Sequence, residues 1–498
     1  MLVANARQMK LYDEYIMQRL NHSIEGMILK AAKVLYPYVA KEKNILILVG
    51  KGNNGADGLA LSCLLKNMNQ EVTCFLLASK KEMSQGAGYY LEKAIALGVS
   101  IYYLSDENDF SFKMFNEKVA QASVIIDGIF GIGLMGPLCG MEKHVIEHLN
   151  QMEHCPIMAI DIPSGLNADT GNIANVCLKA SLTITFVAMK TGFLNPHAKA
   201  YTGEVFVESL GYDPDIMVEL GFGYLLESEV VEKIVRERQY DGYKGTYGRV
   251  LLLTGSRQYP GAGLISTAAA LYSGAGLVQL SSDAEVMKMA VSRYPEILTA
   301  LADQQLDSML DAASAVLFGC GRGWNDTTRL ELEEVLVKSR VPVVLDADGI
   351  NCLASTPELL NQVSCPVILT PHLGEMKRLL ENETEKDPVV GAIQFARKYH
   401  AIVVLKGPLT MVTDGKHVFR NPSGNGAMAS AGMGDALAGI VVSLLAQGYA
   451  YTDACVLGVY LHGCCGDQIA KNQYTVLASQ LIEKIPEVMH RFNENTKK

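Results

Sequence analysis

The chain has 498 residues, of which 49% are hydrophobic, and carries a formal net charge of -10 at pH 7. This length exceeds one hydrophobic core, so we expect two or three domains, and the acidic balance argues against nucleic-acid and acidic-membrane partners. Its eleven cysteines show neither a CxxC pair nor zinc-ligand spacing, and no signal core or membrane-length apolar run is visible, so a cytoplasmic protein is predicted.

Short apolar runs alternate with helical patterns in two separate series. The first comprises residues 44–49, 72–77, 123–127, 157–161 and 182–186, and the second comprises 250–253, 315–318, 341–346, 367–370 and 402–405. Buried strands separated by helices are typical of βαβ units and parallel sheets. We therefore predict an α/β protein of two domains, residues 1–222 and 228–498, with a charged helix from Glu227 to Arg238.

A glycine-rich segment, residues 50–58 (GKGNNGADG), follows the first strand and precedes a helix predicted to begin near Leu59. Gly50, Gly52 and Gly55 match the dinucleotide pattern G-x-G-x-x-G. That match is weak alone, and the end of the next strand (78–80) lacks the acid that binds a ribose. Two amides and Asp57 give the segment more polar groups than a pyrophosphate cradle needs, which indicates that it coordinates another group.

Polar residues also follow two later strands of the first series. Asp127 and Asp161 end these strands, and Ser164 follows the second. Ligands gather at the carboxyl ends of strands in open α/β sheets, so these residues are expected to converge. A turn or a helix cap could explain each residue alone. The combination at successive strand ends favours a site, and the oxygen donors Asn54, Asp127 and Ser164 suit a hard cation.

Segments 52–58 (GNNGADG), 127–131 (DGIFG) and 161–165 (DIPSG) closely resemble the NAD(P)H-hydrate epimerase (YjeF N-terminal) family. The resemblance implies a Rossmann-like parallel-sheet domain that interconverts R and S hydrated NAD(P)H and binds a potassium ion (K⁺). It implies potassium ligands at Asn54, Asp127 and Ser164. It implies hydrate contacts at Asn53, Asn54, Gly55, Ala56, Asp57, Gly131, Ile132, Gly133, Leu134, Met135, Gly136, Pro137 and Asp161.

Epimerising the hydrated carbon requires proton movement and a transiently cationic ring. We therefore hypothesise that Asp161 is catalytic and manages the proton or the charge. Where this chain has Ala56, the family usually has a second glycine.

The segment 421–435 (NPSGNGAMASAGMGD) is the most informative part of the second series. It is rich in small residues, ends in a single carboxylate and runs into an apolar helical pattern. Backbone N–H groups at a helix start favour negative charge, and small residues let a phosphate approach the main chain. Asp435 could take the proton from a hydroxyl that is being phosphorylated. The segment therefore predicts phosphoryl transfer, without the G-x-x-x-x-G-K-[ST] of a P-loop enzyme.

Further loops of the second series follow strands, among them residues 346–351, 370–376 (TPHLGEM) and 405–408. Glu375 is interpreted mainly as a helix-capping residue. Lys406 follows an apolar strand and could reach a nucleotide phosphate, although a solvated lysine at a strand end is an equal alternative.

Gly432 to Asp435 resemble the anion hole and catalytic aspartate of ribokinase-like kinases. With residues 244–248 (KGTYG), 370–376 and 421–430, they resemble ADP/ATP-dependent NAD(P)H-hydrate dehydratase. The resemblance implies a ribokinase-like α/β domain that uses ADP, with magnesium (Mg²⁺), to phosphorylate the hydrate and then eliminates phosphate. Asp435 would be the catalytic base.

This second resemblance also implies a set of ligand contacts. ADP would contact Lys406, Gly407, Pro408, Leu409, Thr410, Asn425, Gly426, Ala427, Met428, Ala429, Ser430, Ala431, Gly432, Met433 and Gly434. The hydrate would contact Ala262, Gly321, His372 and Asp435. Ala431 stands where a glycine is common. The small-molecule partners would be NADHX, NADPHX and ADP, and a homo-oligomer is expected.

Two alternatives remain open on the residues alone. The second domain could be a hydroxyethylthiazole-type kinase, which would accumulate a stable phosphorylated product. The first could be a non-catalytic ligand-binding module. The complete set of polar residues in its loops favours an enzyme.

Overall fold

The computed structural model describes residues 1–104, 109–134, 136–381, 383–385 and 387–495. The chain divides into two compact units, Met1–Phe222 and Gly223–Lys498. The division lies where the first series of strands gives way to the second. No helix within the described ranges combines the length and the apolarity needed to cross a membrane.

Short strands and longer helices alternate in the N-terminal unit. Its strands are β1 (Leu2–Ala4), β2 (Asn44–Val49), β3 (Glu71–Leu76), β4 (Ser100–Tyr103), β5 (Val124–Gly128), β6 (Ile157–Ile160), β7 (Leu182–Phe186), β8 (Met189–Lys190) and β9 (Glu204–Glu208). Its helices are α1 (Ala6–Arg19), α2 (Ile24–Val39), α3 (Asn53–Asn67), α4 (Gln85–Ala96), α5 (Asp109–Gln121), α6 (Gly140–Gln151), α7 (Lys199–Thr202) and α8 (Pro214–Glu219).

The main sheet of this unit is parallel, with the strand order β4-β3-β2-β5-β6-β7-β9. Alternate residues of β2 enter different cores: Ile47 packs with α2 and α3 residues, and Leu48 packs with α6 residues. Both faces are therefore covered, as parallel sheets require. The chain runs from β2 to one edge and resumes on the other side at β5. The carboxyl ends of these two strands therefore form a switch point, where such sheets bind ligands.

The C-terminal unit has the same kind of alternation. Its strands are β10 (Gly223–Leu225), β11 (Arg249–Leu253), β12 (Leu277–Ser281), β13 (Leu298–Thr299), β14 (Ala315–Phe318), β15 (Val343–Leu345), β16 (Val367–Leu369), β17 (Ile402–Leu405), β18 (Met411–Thr413) and β19 (Val418–Arg420). Its helices are α9 (Ser228–Glu232), α10 (Pro260–Tyr272), α11 (Ala284–Arg293), α12 (Ala302–Ala312), α13 (Asp326–Lys338), α14 (Asp348–Leu353), α15 (Leu373–Leu379), α16 (Pro388–Tyr399), α17 (Met433–Ala446), α18 (Tyr451–Ala470) and α19 (Ala478–Asn495).

Strands β13-β12-β11-β14-β15-β16-β17 are parallel neighbours, and β18 and β19 continue the sheet in antiparallel pairings. Helix α17 is buried at every residue from Ala436 to Ala446. A helix that is apolar all round belongs inside a core, and α17 packs against α10 and α18. Its N-terminus is thereby held in a fixed position.

One predicted helix is shorter than expected. The sequence predicts a charged helix from Glu227 to Arg238, but α9 covers only Ser228–Glu232. Arg238 instead donates a hydrogen bond of 3.1 Å to the carbonyl of Gly274. Tertiary contacts of the basic side chain thus replace the last helical turns.

Candidate active sites

The glycine-rich segment of the N-terminal unit is mostly helical, which corrects the prediction of a helix starting near Leu59. Helix α3 begins at Asn53, with Gly52 at its N-cap. A Cβ atom on Gly55 would lie 2.0 Å from the carbonyl oxygen of Gly50, so this close approach of helix and strand end requires glycine. The unpaired N–H groups of the first turn therefore lie at the switch point, where they favour negative charge.

Asn54, Asp127 and Ser164 are joined in one buried hydrogen-bond network. The Asn54 amide donates to the carbonyl oxygen of Phe130 at 2.7 Å, and the Phe130 N–H donates to Ser164 Oγ at 2.9 Å. Ser164 in turn donates to Asp127 through its hydroxyl at 2.6 Å and its N–H at 2.7 Å. The structure thus brings the three predicted potassium ligands together, along with a main-chain carbonyl.

Burial raises the pKa of Asp127 to about 6, against the opposing effect of hydrogen bonds from Ser164 and Ile129. A cation would offset this desolvation cost. The oxygen donors of the network are of the type that hard cations prefer. The residues present therefore fit a bound alkali cation.

Asp161 lies immediately after β6 in a left-handed conformation, with φ of 62°. Its Oδ1 atom contacts the Lys190 ammonium at 2.8 Å and accepts a hydrogen bond from Thr185 Oγ1 at 2.9 Å. The Lys190 side chain is fully buried and also donates to the carbonyl oxygens of Phe186 and Ala188. Among the described residues, the ion pair and the hydrogen bonds that the Asp161 carboxylate itself forms all involve Oδ1, so Oδ2 is the oxygen open to a ligand.

A cavity of about 680 Å³ lies at this edge of the sheet. Of the predicted hydrate contacts, its lining includes Asn53, Asn54, Asp57, Gly131, Ile132, Gly133, Leu134 and Asp161. The lining does not include Gly55, Ala56, Gly136 or Pro137. The Ala56 methyl group is buried in the helical core, so it does not face a ligand. Met135 lies outside the described residues.

Four charged residues in or beside this cavity were missed by the sequence analysis. Asp13 reaches the cavity from α1, and Lys10 and Lys51 add positive charge to its lining. Lys190, behind Asp161, interrupts an otherwise apolar run after β7, which is the one signal that could have identified it. Asp13 has no comparable signal, because an acidic residue on an amphipathic helix is ordinarily solvated.

In the C-terminal unit, α17 starts at Met433, and Gly432 is its N-cap with φ of 87°. Asp435 therefore lies in the first turn of a buried helix. A Cβ atom on Gly434 would be 3.1 Å from the Lys406 ammonium nitrogen. The predicted anion hole thus has a lysine charge directly beside its main chain.

Lys406 is held by acidic partners and is not a solvated lysine. Its Nζ lies 2.6 Å from Asp346 Oδ1 and 4.0 Å from Glu375 Oε2. Asp346 is buried, and it also accepts hydrogen bonds from Thr370 Oγ1 at 2.7 Å and from Cys320 Sγ at 3.5 Å. The ammonium is therefore fixed at the start of α17.

The predicted capping role of Glu375 is confirmed. Its carboxylate accepts a hydrogen bond of 2.8 Å from the N–H of His372, and His372 Nδ1 accepts one of 2.9 Å from the N–H of Gly374. The Nδ1 edge of the His372 ring therefore caps α15, Nε2 lies 3.4 Å from Glu375 Oε1, and the side chain remains half exposed. A ligand would have to be contacted by the exposed edge.

The pKa of Asp435 is raised to about 6, first by burial and next by the neighbouring Asp346 carboxylate. Hydrogen bonding from Cys320 and the charge of Lys406 oppose this shift. A general base is most effective with a pKa near the working pH. Asp435 is thus suited to accept a proton close to neutrality.

The predicted ADP-binding loops are adjacent and braced. The N–H of Asn421 donates to the carbonyl oxygen of Thr410 at 2.9 Å, which joins segments 406–410 and 421–425. Asp467 of α18 accepts hydrogen bonds from the N–H of Gly424 at 2.9 Å and from the Asn425 amide at 2.6 Å. The loop is therefore held to α18 by a carboxylate.

Helix α18 also allows this loop to approach closely. A Cβ atom on Gly463 would lie 2.1 Å from Ser423 Oγ, and one on Gly466 would lie 2.2 Å from Met428 Sδ. His462 Nε2, at 3.1 Å, donates to the carbonyl oxygen of Met433, since a carbonyl only accepts. This helix, which the motif analysis missed, positions both halves of the predicted phosphate site.

The predicted hydrate contacts of this unit lie on neighbouring loops. A Cβ atom on Gly321 would lie 2.7 Å from Ala262 Cβ. His372 forms a parallel bridge with Lys406. Cys320, next to Gly321, contacts Asp346. The structure therefore brings Ala262, Gly321 and His372 around the same cluster as Lys406.

Comparison with known proteins gives matches over both units. A family model described as NAD(P)H-hydrate dehydratase matches residues 250–487, and one described as YjeF-related protein N-terminus matches residues 14–192. The bifunctional NAD(P)H-hydrate repair enzyme Nnr of Moorella thermoacetica is 34% identical over 472 residues, covering 91% of this chain and 88% of that protein. The enzyme of the same name from Coxiella burnetii is 34% identical over 449 residues, covering 89% and 88%.

Among solved structures, a ribokinase-like superfamily protein from Enterococcus faecalis is similar to the C-terminal part of the chain. It is 30% identical, covers 54% of this chain and 96% of its own, and gives a TM-score of 0.51.

Proposed function

Because this chain belongs to the family of bifunctional NAD(P)H-hydrate repair enzymes, we propose that it repairs hydrated NAD(P)H by two reactions. One interconverts the R and S forms of NAD(P)HX. The other dehydrates S-NAD(P)HX to NAD(P)H with ADP. We assign the first to a Rossmann-like domain at residues 1–222 and the second to a ribokinase-like domain at 228–498.

The observation that carries the dehydratase assignment is the convergence on the start of α17. Asp435, the glycine turn and the Lys406 ammonium meet there, beside the loop that α18 braces. Asp435 would remove the proton of the hydrate hydroxyl, whose oxygen then takes the terminal phosphoryl group of ADP and releases AMP. The N–H groups of residues 432–434 and the Lys406 charge would stabilise the developing negative charge.

Phosphorylation converts a poor leaving group into a good one. The ring nitrogen lone pair then expels phosphate, and loss of a proton from the neighbouring carbon restores NAD(P)H. The hydrate would be held by Ala262, Gly321 and His372. ADP would be held by residues 406–410 and 425–434.

Magnesium would neutralise phosphate charge in this reaction. Cys320, Asp346 and Asp435 have potential ligand atoms within 4.8 Å of one another. This cluster does not suit magnesium, because a thiol is a soft ligand and Lys406 already occupies Asp346. We therefore assign magnesium to the phosphate oxygens of the nucleotide and not to this cluster.

In the N-terminal domain, Asp161 would manage the proton or the charge at the hydrated carbon. Asn53, Asn54, Asp57 and residues 131–134, which line the cavity, would contact the hydrate. Asn54, Asp127 and Ser164, with the Phe130 carbonyl, would hold a potassium ion. When bound, that ion would supply a positive charge next to the buried Asp127 carboxylate.

The test uses the full chain with a mixture of both hydrate epimers, ADP and magnesium. Complete return of reduced-nicotinamide absorbance is expected. Return of only the S fraction would contradict the epimerase assignment and favour a non-catalytic N-terminal module. A stable phosphorylated product without NAD(P)H would favour the hydroxyethylthiazole-type kinase. Replacing ADP by ATP measures the nucleotide preference.

We further propose a cytoplasmic location and a homo-oligomeric state. Eleven free cysteines are consistent with a reducing compartment. Fractionation of cells and sedimentation of the purified chain test the two points, and a secreted or monomeric protein would contradict them.

A further inference from the structure

The cavity of the N-terminal unit contains more carboxyl side chains than the proposed epimerase reaction has used so far. Asp13, Asp57 and Asp161 all line it, and the buried Lys190 ammonium contacts Asp161. The structure shows no hydrogen bond from Asp13 or Asp57 to another residue within the described ranges. Both carboxyl groups are therefore open to a ligand in the cavity.

The three carboxyl groups differ in their contacts and in their burial. Asp161 is in contact with the Lys190 ammonium at 2.8 Å, whereas neither Asp57 nor Asp13 forms an ion pair with any residue that the structure describes. Burial and the charges of Asp161 and Asp13 raise the pKa of Asp57 well above its usual range. Burial and the Asp161 charge, opposed by Lys190, raise the pKa of Asp13 to about 7. With a pKa of about 7, Asp13 can both give and take a proton at neutral pH.

We propose that Asp13 is the second proton-transfer group of the epimerase, acting with Asp161 on the hydroxyl-bearing carbon of the hydrate. This rests on the proposed epimerase function. Asp13 lies outside the matched residues 14–192, so the family match gives it no role.

The reaction balances with these two groups. Asp13 protonates the leaving hydroxyl, the C–O bond breaks to release water, and the ring nitrogen lone pair forms the cationic C=N bond. A water molecule then bonds to the other face of the carbon and gives its proton to Asp161. In the reverse reaction the two residues exchange roles. When successive turnovers run in the same direction, exchange with solvent returns a proton to Asp13 and removes one from Asp161.

Several charged groups around Asp13 influence its pKa. Asp161 and Lys190 face it from the strand ends, Asp57 faces it from α3, and Glu14 is its neighbour on α1. Lys10 and Lys51 also line the cavity. Because Glu14 is exposed to solvent, Glu14→Gln is a matched control for Asp13→Asn on the same helix.

The experiment measures repair of the pure R epimer by the full chain, with ADP and magnesium. Since the dehydratase consumes S-NAD(P)HX, R is repaired only after epimerisation, and dehydration of pure S reports folding. Asp13→Asn should slow R repair by about 10²-fold or more and leave S repair unchanged, whereas Glu14→Gln should change neither. Asp13→Glu should restore part of the loss, and Asp13→Asn should abolish the change of rate with pH near about 7.

Unchanged R repair in Asp13→Asn would overturn the role of Asp13. A rate of R repair by the wild-type protein that does not change with pH around 7 would also overturn it, and this measurement needs no variant. If wild-type protein repairs S but never R, the epimerase assignment itself fails, and that outcome is distinct from both.

Discussion

The two units each present an aspartate at the carboxyl edge of a parallel sheet, but they hold it in different ways. Asp161 follows a strand, in a left-handed conformation, and its Oδ1 is bound to a buried ammonium. Asp435 lies in the first turn of a buried helix, and the nearest ammonium is bound to Asp346. The lysine thus pairs directly with the aspartate in one unit, and supports the adjacent anion hole in the other.

This difference matches the chemistry proposed for each unit. A cationic ring in the N-terminal cavity favours a cluster of carboxylates. In the C-terminal site, the negative charge of the transferred phosphoryl group is stabilised by a helix N-terminus and a lysine. Two domains of the same fold class can therefore stabilise ligands of opposite charge, and the position of one lysine relative to the aspartate distinguishes them.

The largest effect is expected from Asp161→Asn, which should abolish epimerisation because the proton-managing carboxylate is lost. The change leaves the buried Lys190 unpaired, at a cost of roughly 3–5 kcal/mol in the free energy of unfolding. Dehydration of pure S-NAD(P)HX therefore serves as the folding control, and Asp161→Asn/Lys190→Met removes the unpaired charge. Full repair of the R epimer by either variant would contradict the assignment.

Asp435→Ala should lower dehydration by about 10² to 10⁴, the usual contribution of a general base. Epimerisation should be unchanged, which can be followed by R/S interconversion without ADP. Dehydration by this variant at the wild-type rate would contradict the role of Asp435 as the base, and with it the proposed difference between the two units.

Dehydration should also depend on pH through Asp435, whose folded pKa is about 6. The base must be unprotonated to accept the hydroxyl proton. The single-turnover rate should therefore be constant above this pKa and fall about tenfold per pH unit below it. A rate that stays flat as pH falls below the pKa would exclude Asp435 as the titrating base.

Gly463→Ala should weaken ADP binding without affecting the other unit. Its Cβ would lie 2.1 Å from Ser423 Oγ and 2.6 Å from the Ser423 carbonyl carbon, so the loop must shift. Overpacking of about 1–3 kcal/mol corresponds to an increase of about 5- to 150-fold in the KM for ADP. Gly88→Ala in α4 is the matched control, because no atom lies within 4 Å of its Cβ. Equal KM values for the two variants would show that the loop is not closely packed.

The smallest effect is on stability. The folded pKa of Asp13 is about 7 because the side chain is buried beside Asp161, well above the usual range of an aspartate, so its stabilising contribution is complete at low pH and is lost as pH rises through about 7. Asp13→Asn removes the cost of burying a carboxylate at alkaline pH. Its Tm relative to wild type should therefore rise by a few degrees, about 2–4 °C per kcal/mol, between acidic and alkaline buffers. A Tm difference independent of pH would contradict the raised pKa.

Sequence patterns located strands reliably where apolar runs were continuous. Residues 44–49 and 182–186 form β2 and β7 with the predicted bounds. The sequence analysis missed β4 and β9, because their half-exposed residues lack such a run. It also interpreted the start of α3 as a loop, since glycine is usual in turns. There, Gly55 is needed for contact with Gly50.

The order of strands and helices, the glycine-rich loops and the single carboxylate in the first turn of α17 are properties of the sequence, because local spacing and residue type produce them. The tertiary structure alone decided that Lys190 pairs with Asp161, that Asp346 holds Lys406, and that Asp13 enters the cavity. A buried charge depends for its free energy on the groups that folding brings next to it. For these residues the neighbours come from distant parts of the chain, which sequence spacing does not encode.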